Sequence, residues 1–162
     1  MPEPLPVPYH AQISGGYCLA ACAQMALGYL QIERSQTSLA DQLKVEPYLG
    51  APARNIRLLA SPEVAVVVEE GTLEQLRHWL DRGVPPIAFV EAGELPHWQG
   101  ERFQHAVVLV SINDTTVAFL DPDFAPQPAH VSVDEFLLAW GELNYLYAAL
   151  APLDAITGAT TA

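Results

Sequence analysis

The sequence predicts an α+β domain in which N-terminal helices pack on an antiparallel β-sheet. Three observations lead there. Residues 18–30 form an Ala-, Leu- and Met-rich run with no breaker before Gly28, the pattern of a buried helix. Most later segments are apolar or β-branched runs of strand length: 64–68, 86–90, 105–112, 116–120 and 145–150. Two of those runs are joined by Asn113-Asp114-Thr115, a hairpin signal, and hairpins make antiparallel neighbours. Helices gathered ahead of strands favour α+β over an alternating βαβ plan.

The elements follow in order. Pro2, Pro4, Pro6 and Pro8 forbid a helix and predict an extended arm over 1–8. A glycine turn, Ser14-Gly15-Gly16, leads into the helix at Cys18. A second helix is expected over 38–45 with Ser38 as cap, and a third over 52–60, ended by Ser61-Pro62. Thr72 and Gln75 have the spacing of a capping box, opening a helix to about Asp81 that Gly83 stops. A Gly-, Glu- and Pro-rich loop spans 91–104. Asp121-Pro122-Asp123 begins another proline-rich loop, and Ser132 with Glu135 opens a last helix to about Trp140. One domain is expected over 1–150, with 151–162, small and polar, as a disordered tail.

Composition excludes some functions. A formal charge of −12 argues against nucleic-acid binding, which needs basic groups at phosphates. No stretch has the ~20 apolar residues of a membrane helix. The N-terminus lacks a basic region followed by an apolar run, so no secretory signal is read and a cytoplasmic protein is expected. Two cysteines make no disulfide framework and should be free thiols there.

Cys18 stands in the first turn of its helix, where unpaired N–H groups and the macrodipole favour a thiolate. Taken alone it is equally well explained as one more small core residue. His105 opens the apolar strand His-Ala-Val-Val-Leu-Val, a rigid mount for a reacting side chain. Asp121 ends the strand paired with it; Asp123 competes for the role of orienting His105. The pairing carries a geometric demand. An odd hairpin loop keeps 105 and 121 on one sheet face, whereas an even loop separates them unless a bulge intervenes. Gln12 lies across the glycine turn from Cys18, from where its amide could reach the space above the thiol.

The set Gln12, Cys18, Ala21-Cys22, Met25, His105-Ala-Val-Val-Leu-Val and Leu120-Asp121-Pro122 resembles the C39 and C39-like cysteine peptidases of the papain-like superfamily. The resemblance runs from about Val7 to Leu150. It implies a papain-like fold with helices on one side of an antiparallel sheet, Cys18 as nucleophile, His105 as base, Asp121 as its orienter and Gln12 as oxyanion donor. It also implies a peptide or protein substrate and no cofactor. One departure stands out: the family usually has Gly after the nucleophile, and here Leu19 is expected to crowd the oxyanion position. That departure motivates an alternative, a C39-like binding module without catalysis.

Cys18 and Cys22, at i and i+4, could share a metal, but no second ligand pair exists and Cys22 reads as core. His10, His78, His97 and His130 show no ligand spacing, so no metal is expected. His97-Trp98 has two readings, a lining of the substrate cleft or a surface loop held by a partly buried indole.

Overall fold

The breaker-free run beginning at Cys18 forms α1 (Cys18–Tyr29), buried along most of its length. The structure, a computed structural model, describes residues 3–153; the expected tail from 154 onward lies outside them. The second helix, α2 (Gln36–Leu43), starts two residues earlier than expected because Ser35, not Ser38, is the cap: its hydroxyl accepts from the Ser38 N–H. The third expected helix is a 3-10 segment, Ala53–Leu59.

Then come β1 (Val64–Glu70), α3 (Leu73–Asp81), β2 (Ile87–Glu91), β3 (Gln104–Ile112), β4 (Thr116–Asp121), β5 (Ala125–Ser132), α4 (Val133–Gly141) and β6 (Leu146–Pro152). Both capping boxes form, at Thr72/Gln75 and Ser132/Glu135. Gly83, with φ of +76°, ends α3 as expected. The loop between β2 and β3 holds two short 3-10 turns, Ala92–Glu94 and Pro96–Trp98.

One strand corrects the sequence reading. Residues 125–132, expected as proline-rich loop, form β5, the outermost strand of a six-stranded sheet ordered β1-β6-β2-β3-β4-β5. Pro126 and Pro128 cannot donate to a central ladder, but an edge strand needs no donor on its free side. Every pairing is antiparallel.

The N-terminal helices pack on the sheet as expected, and a second helical layer covers the other face. Leu19, Cys22, Met25 and Leu39 meet Ala106, Val108 and Leu120 on one side. Leu76 and Trp79 of α3 with Phe136 and Trp140 of α4 meet Val107, Leu109 and Phe119 on the other. This explains why β3 is apolar at nearly every position rather than at alternate ones: both of its faces are covered.

Candidate active site

The turn before Cys18 depends on glycine. Gly16 has φ of +84°, and a Cβ there would lie 2.8 Å from the Gly50 nitrogen and 2.9 Å from that of Tyr48. The 46–50 turn braces this loop, with the Tyr48 N–H donating to the Gly15 carbonyl at 2.8 Å. No side chain caps the first turn of α1 and no acidic residue lies in it. Its N–H groups and the positive end of its dipole are therefore left unneutralised beside the thiol. Cys18 is half-buried. Leu19, expected to crowd the site, is 3% exposed and packs in the core between α1 and the sheet.

His105 and Asp121 meet because β3 carries a bulge. Ile112 pairs with Val117, so the hairpin closes in an even register; Leu109, however, pairs with Phe119 and Ser111 with Ala118. The extra residue, Val110, flips the alternation, so that His105, Val107 and Leu109 share a face with Phe119 and Asp121. The N-terminal arm ties into the same place, with the Leu5 N–H donating to the Val110 carbonyl at 2.9 Å. Of the two ways to meet the parity demand, the protein uses the bulge.

The result is a buried pair, His105 Nε2 to Asp121 Oδ1 at 2.7 Å. A carboxylate only accepts, so Nε2 carries the hydrogen. The Cys18 thiol acts on the same imidazole; with Nε2 occupied, Nδ1 is the nitrogen left for it. Burial pulls the His105 pKa down, but the bond to Asp121, the neighbouring Cys18 thiol and the charges of both push it up to about 9. Burial would raise Asp121, yet hydrogen bonds from His105 and His97 hold its carboxyl well below the usual carboxylate range. The Asp121 carboxylate accepts four hydrogen bonds. Oδ1 also takes the Asp123 N–H at 3.0 Å; Oδ2 takes His97 Nε2 at 2.8 Å and Trp98 Nε1 at 2.9 Å. Asp123, the competitor in sequence, thus bonds Asp121 through its backbone.

Gln12 is tied to the same corner. Its N–H donates to the Pro122 carbonyl at 2.9 Å, and the Tyr9 hydroxyl donates to the Asp121 carbonyl at 3.1 Å. The Gln12 side-chain Nε2 donates to the Ser14 carbonyl at 3.1 Å, while Oε1 is buried without a partner. Gln36 locks the loop from behind: Oε1 accepts from the Ile13 N–H at 2.9 Å, and Nε2 donates to the Ala11 carbonyl and to Gln24 Oε1, each at 3.0 Å. Cys22 is fully buried, and burial, with Cys18 and Asp121 nearby, pushes its thiol pKa well up. Among the described residues, no three His, Cys, Asp or Glu side chains converge as a metal site.

The profile of the Peptidase_C39 like family matches residues 4–148. The chain belongs to that family. Its fold is shared by a Bacillus anthracis protein classed as a C39-like peptidase, with a TM-score of 0.75 at 18% identity over 93% of this chain and 98% of that one. The peptidase domain of Streptococcus ComA, a bifunctional ABC transporter of a quorum-sensing pathway, aligns with a TM-score of 0.72 at 20% identity over 90% and 98%. A double-glycine-motif protease from an AMS/PCAT transporter, solved with its leader peptide, aligns at 0.69 with 17% identity over 92% and 94%. No curated protein sequence matches the chain. Family and fold together support a peptidase-like function.

In this C39-like chain, sequence reasoning missed three contributors to the site. Gln36 lies outside the helix expected over 38–45, and nothing in its neighbourhood in sequence marks it as a partner of residues 11–13. His97 and Trp98 were noticed, but as cleft lining or loop anchor rather than as donors to Asp121. No helix among the described residues is long and apolar enough to cross a membrane.

Proposed function

We propose that the chain is a cysteine peptidase that cleaves a peptide or amide bond through a Cys18 acyl-enzyme. The observation that carries this reading is the bond from His105, whose pKa the neighbouring Cys18 also raises, to a buried, ionised Asp121. In the proposed reaction His105 Nδ1 takes the thiol proton and Cys18 Sγ attacks the carbonyl carbon. The Cys18 N–H and the second Nε2 hydrogen of Gln12 stabilise the oxyanion, each donor being worth roughly 2.7–4 kcal/mol. His105 then protonates the leaving amine. Water, deprotonated by His105, splits the thioester and restores the thiol.

Leu19 gives no reason against turnover, because its side chain is packed in the core. The solved leader-peptide complex of the transporter protease supports a peptide or protein as substrate. Two free thiols fit a reducing, cytoplasmic setting. A second reading, a peptide-binding module without turnover, draws support from the Gln12 amide, one hydrogen of which is already committed to Ser14. Incubation with a peptide library, followed by mass spectrometry, separates the two. Hydrolysis is expected, and it should vanish in Cys18→Ala and His105→Ala. Peptide retention with no product would favour the binding module.

A further inference from the structure

Two residues that the proposed reaction does not use hold the far side of Asp121. His97 Nε2 and Trp98 Nε1 both donate to Oδ2, at 2.8 and 2.9 Å, while His105 and the Asp123 N–H fill Oδ1. A carboxylate offers about four acceptor positions, and here all are taken. The two outer donors are consecutive residues of one 3-10 turn, Pro96–Trp98, that reaches from the β2–β3 connection to the end of β4. Neither ring is loose. His97 packs against Phe124 at 4.6 Å between centroids, and Trp98 stands edge-on to Phe103 at 4.8 Å and to His105 at 5.7 Å.

An aspartate carboxyl turns about χ2 in a broad, two-fold well, so a single bond to His105 would not fix its plane. Two rigid rings on Oδ2 do. We propose that His97 and Trp98 are positioning residues, which set the plane of the Asp121 carboxylate so that Oδ1 meets His105 Nε2 and His105 Nδ1 stays turned to Cys18. This rests on the reading of Cys18, His105 and Asp121 as the reacting group. It also has a sign that a purely electronic effect would not share. Removing donors from an aligned carboxylate makes it more basic and raises the pKa of His105; releasing its alignment weakens the bond to His105 and lowers it.

Phenylalanine at either position keeps the ring packing and removes the N–H. The experiment follows the His105 ring protons by NMR and Cys18 alkylation across pH, in the wild type, His97→Phe, Trp98→Phe, the double variant and His97→Gln. In the double variant, His105 is expected to titrate about one unit lower, and Cys18 to alkylate about 10-fold more slowly near neutral pH. Turnover should fall through kcat with KM little changed, and His97→Gln, whose amide can still donate, should recover most of the loss seen in His97→Phe. An unchanged or raised His105 titration in the folded double variant overturns the proposal. So does a loss of rate that follows melting temperature alone. Should the double variant not fold, the two single variants carry the same test, each with a smaller downward shift expected. Titration and alkylation need no substrate, so the positioning role stands or falls on them even if the wild-type protein cleaves no peptide.

Discussion

Cys18 and Cys22 lie one turn apart on α1, yet Cys18 is half-buried at an uncapped helix start and acts on His105, whereas Cys22 is fully buried. The helix start separates them, and the rest of the chain separates them further. Burial pushes the Cys22 thiol up, towards the neutral, inert form. Reactivity is therefore assigned by the open first turn of α1 together with what β3 and β4 bring to it, not by the residue type. The first way to break this comparison is substitution. Cys18→Ala should lower turnover on the order of 10⁴-fold or more with the fold retained. Cys22→Ala should leave turnover near the wild-type level and show its effect in thermal stability, through the small cavity it opens. Equal losses of turnover in the two variants would erase the distinction.

Removing the charge behind Cys18 tests the same contrast one step further out. Asp121→Asn should reduce turnover roughly 10³–10⁴-fold, because the amide NH₂ would face donors and the imidazole would lose its partner. The pH dependence of stability carries a matching sign. His105 is raised from 6.5 to about 9, so its contribution is fully present below pH ~6.5 and is lost as pH rises through about 9. Asp121 is lowered, so its contribution is present above the ordinary carboxylate value of 3.8 and is lost only in stronger acid. Denaturant titrations from pH 6 to 10 should show the alkaline loss in the wild type and not in Asp121→Asn. Identical profiles would mean that the pair does not stabilise the folded state.

Alkylation reads the comparison without any substrate. Iodoacetamide should modify Cys18 at least about 100-fold faster than Cys22, whose exposure requires the helix to open. Similar slow labelling of both would remove the reason to single out Cys18.

How far the sequence foretells these differences depends on how local each cause is. The helix at Cys18, both capping boxes and the β3–β4 hairpin rest on neighbouring residues, and they appear where local pattern places them. The meeting of His105 with Asp121 was legible through their order and strand context. The bulge at Val110 was legible only as a condition, since nothing in Val-Leu-Val-Ser-Ile marks which residue is extra. The strand β5 was hidden by Pro126 and Pro128, whose tolerance depends on an edge position that only the assembled sheet defines. His97, Trp98 and Gln36 were illegible as partners for a related reason. A polar side chain's role follows from the groups it meets, and these meet theirs across different elements.

Gln36 gives the smallest predicted effect and the most specific one. It is 6% exposed and uses both ends of its amide, joining α2 to Ala11 and Ile13 on either side of Gln12 and to Gln24 on α1. Gln36→Ala would leave the Ile13 N–H and the Ala11 carbonyl without that partner, a cost of about 1–3 kcal/mol where such groups stay buried. Because Gln12 lies between those two residues, its amide should lose its fixed place. Turnover is expected to fall about 10-fold, less than the roughly 10²–10³-fold typical of deleting an oxyanion donor outright. The alkylation rate of Cys18 should change little, since His105 and Asp121 are untouched. That split, turnover impaired with thiol reactivity retained, marks Gln36 as support for Gln12 rather than for the thiol. A parallel loss of both would assign Gln36 to the general stability of α1 and α2 instead.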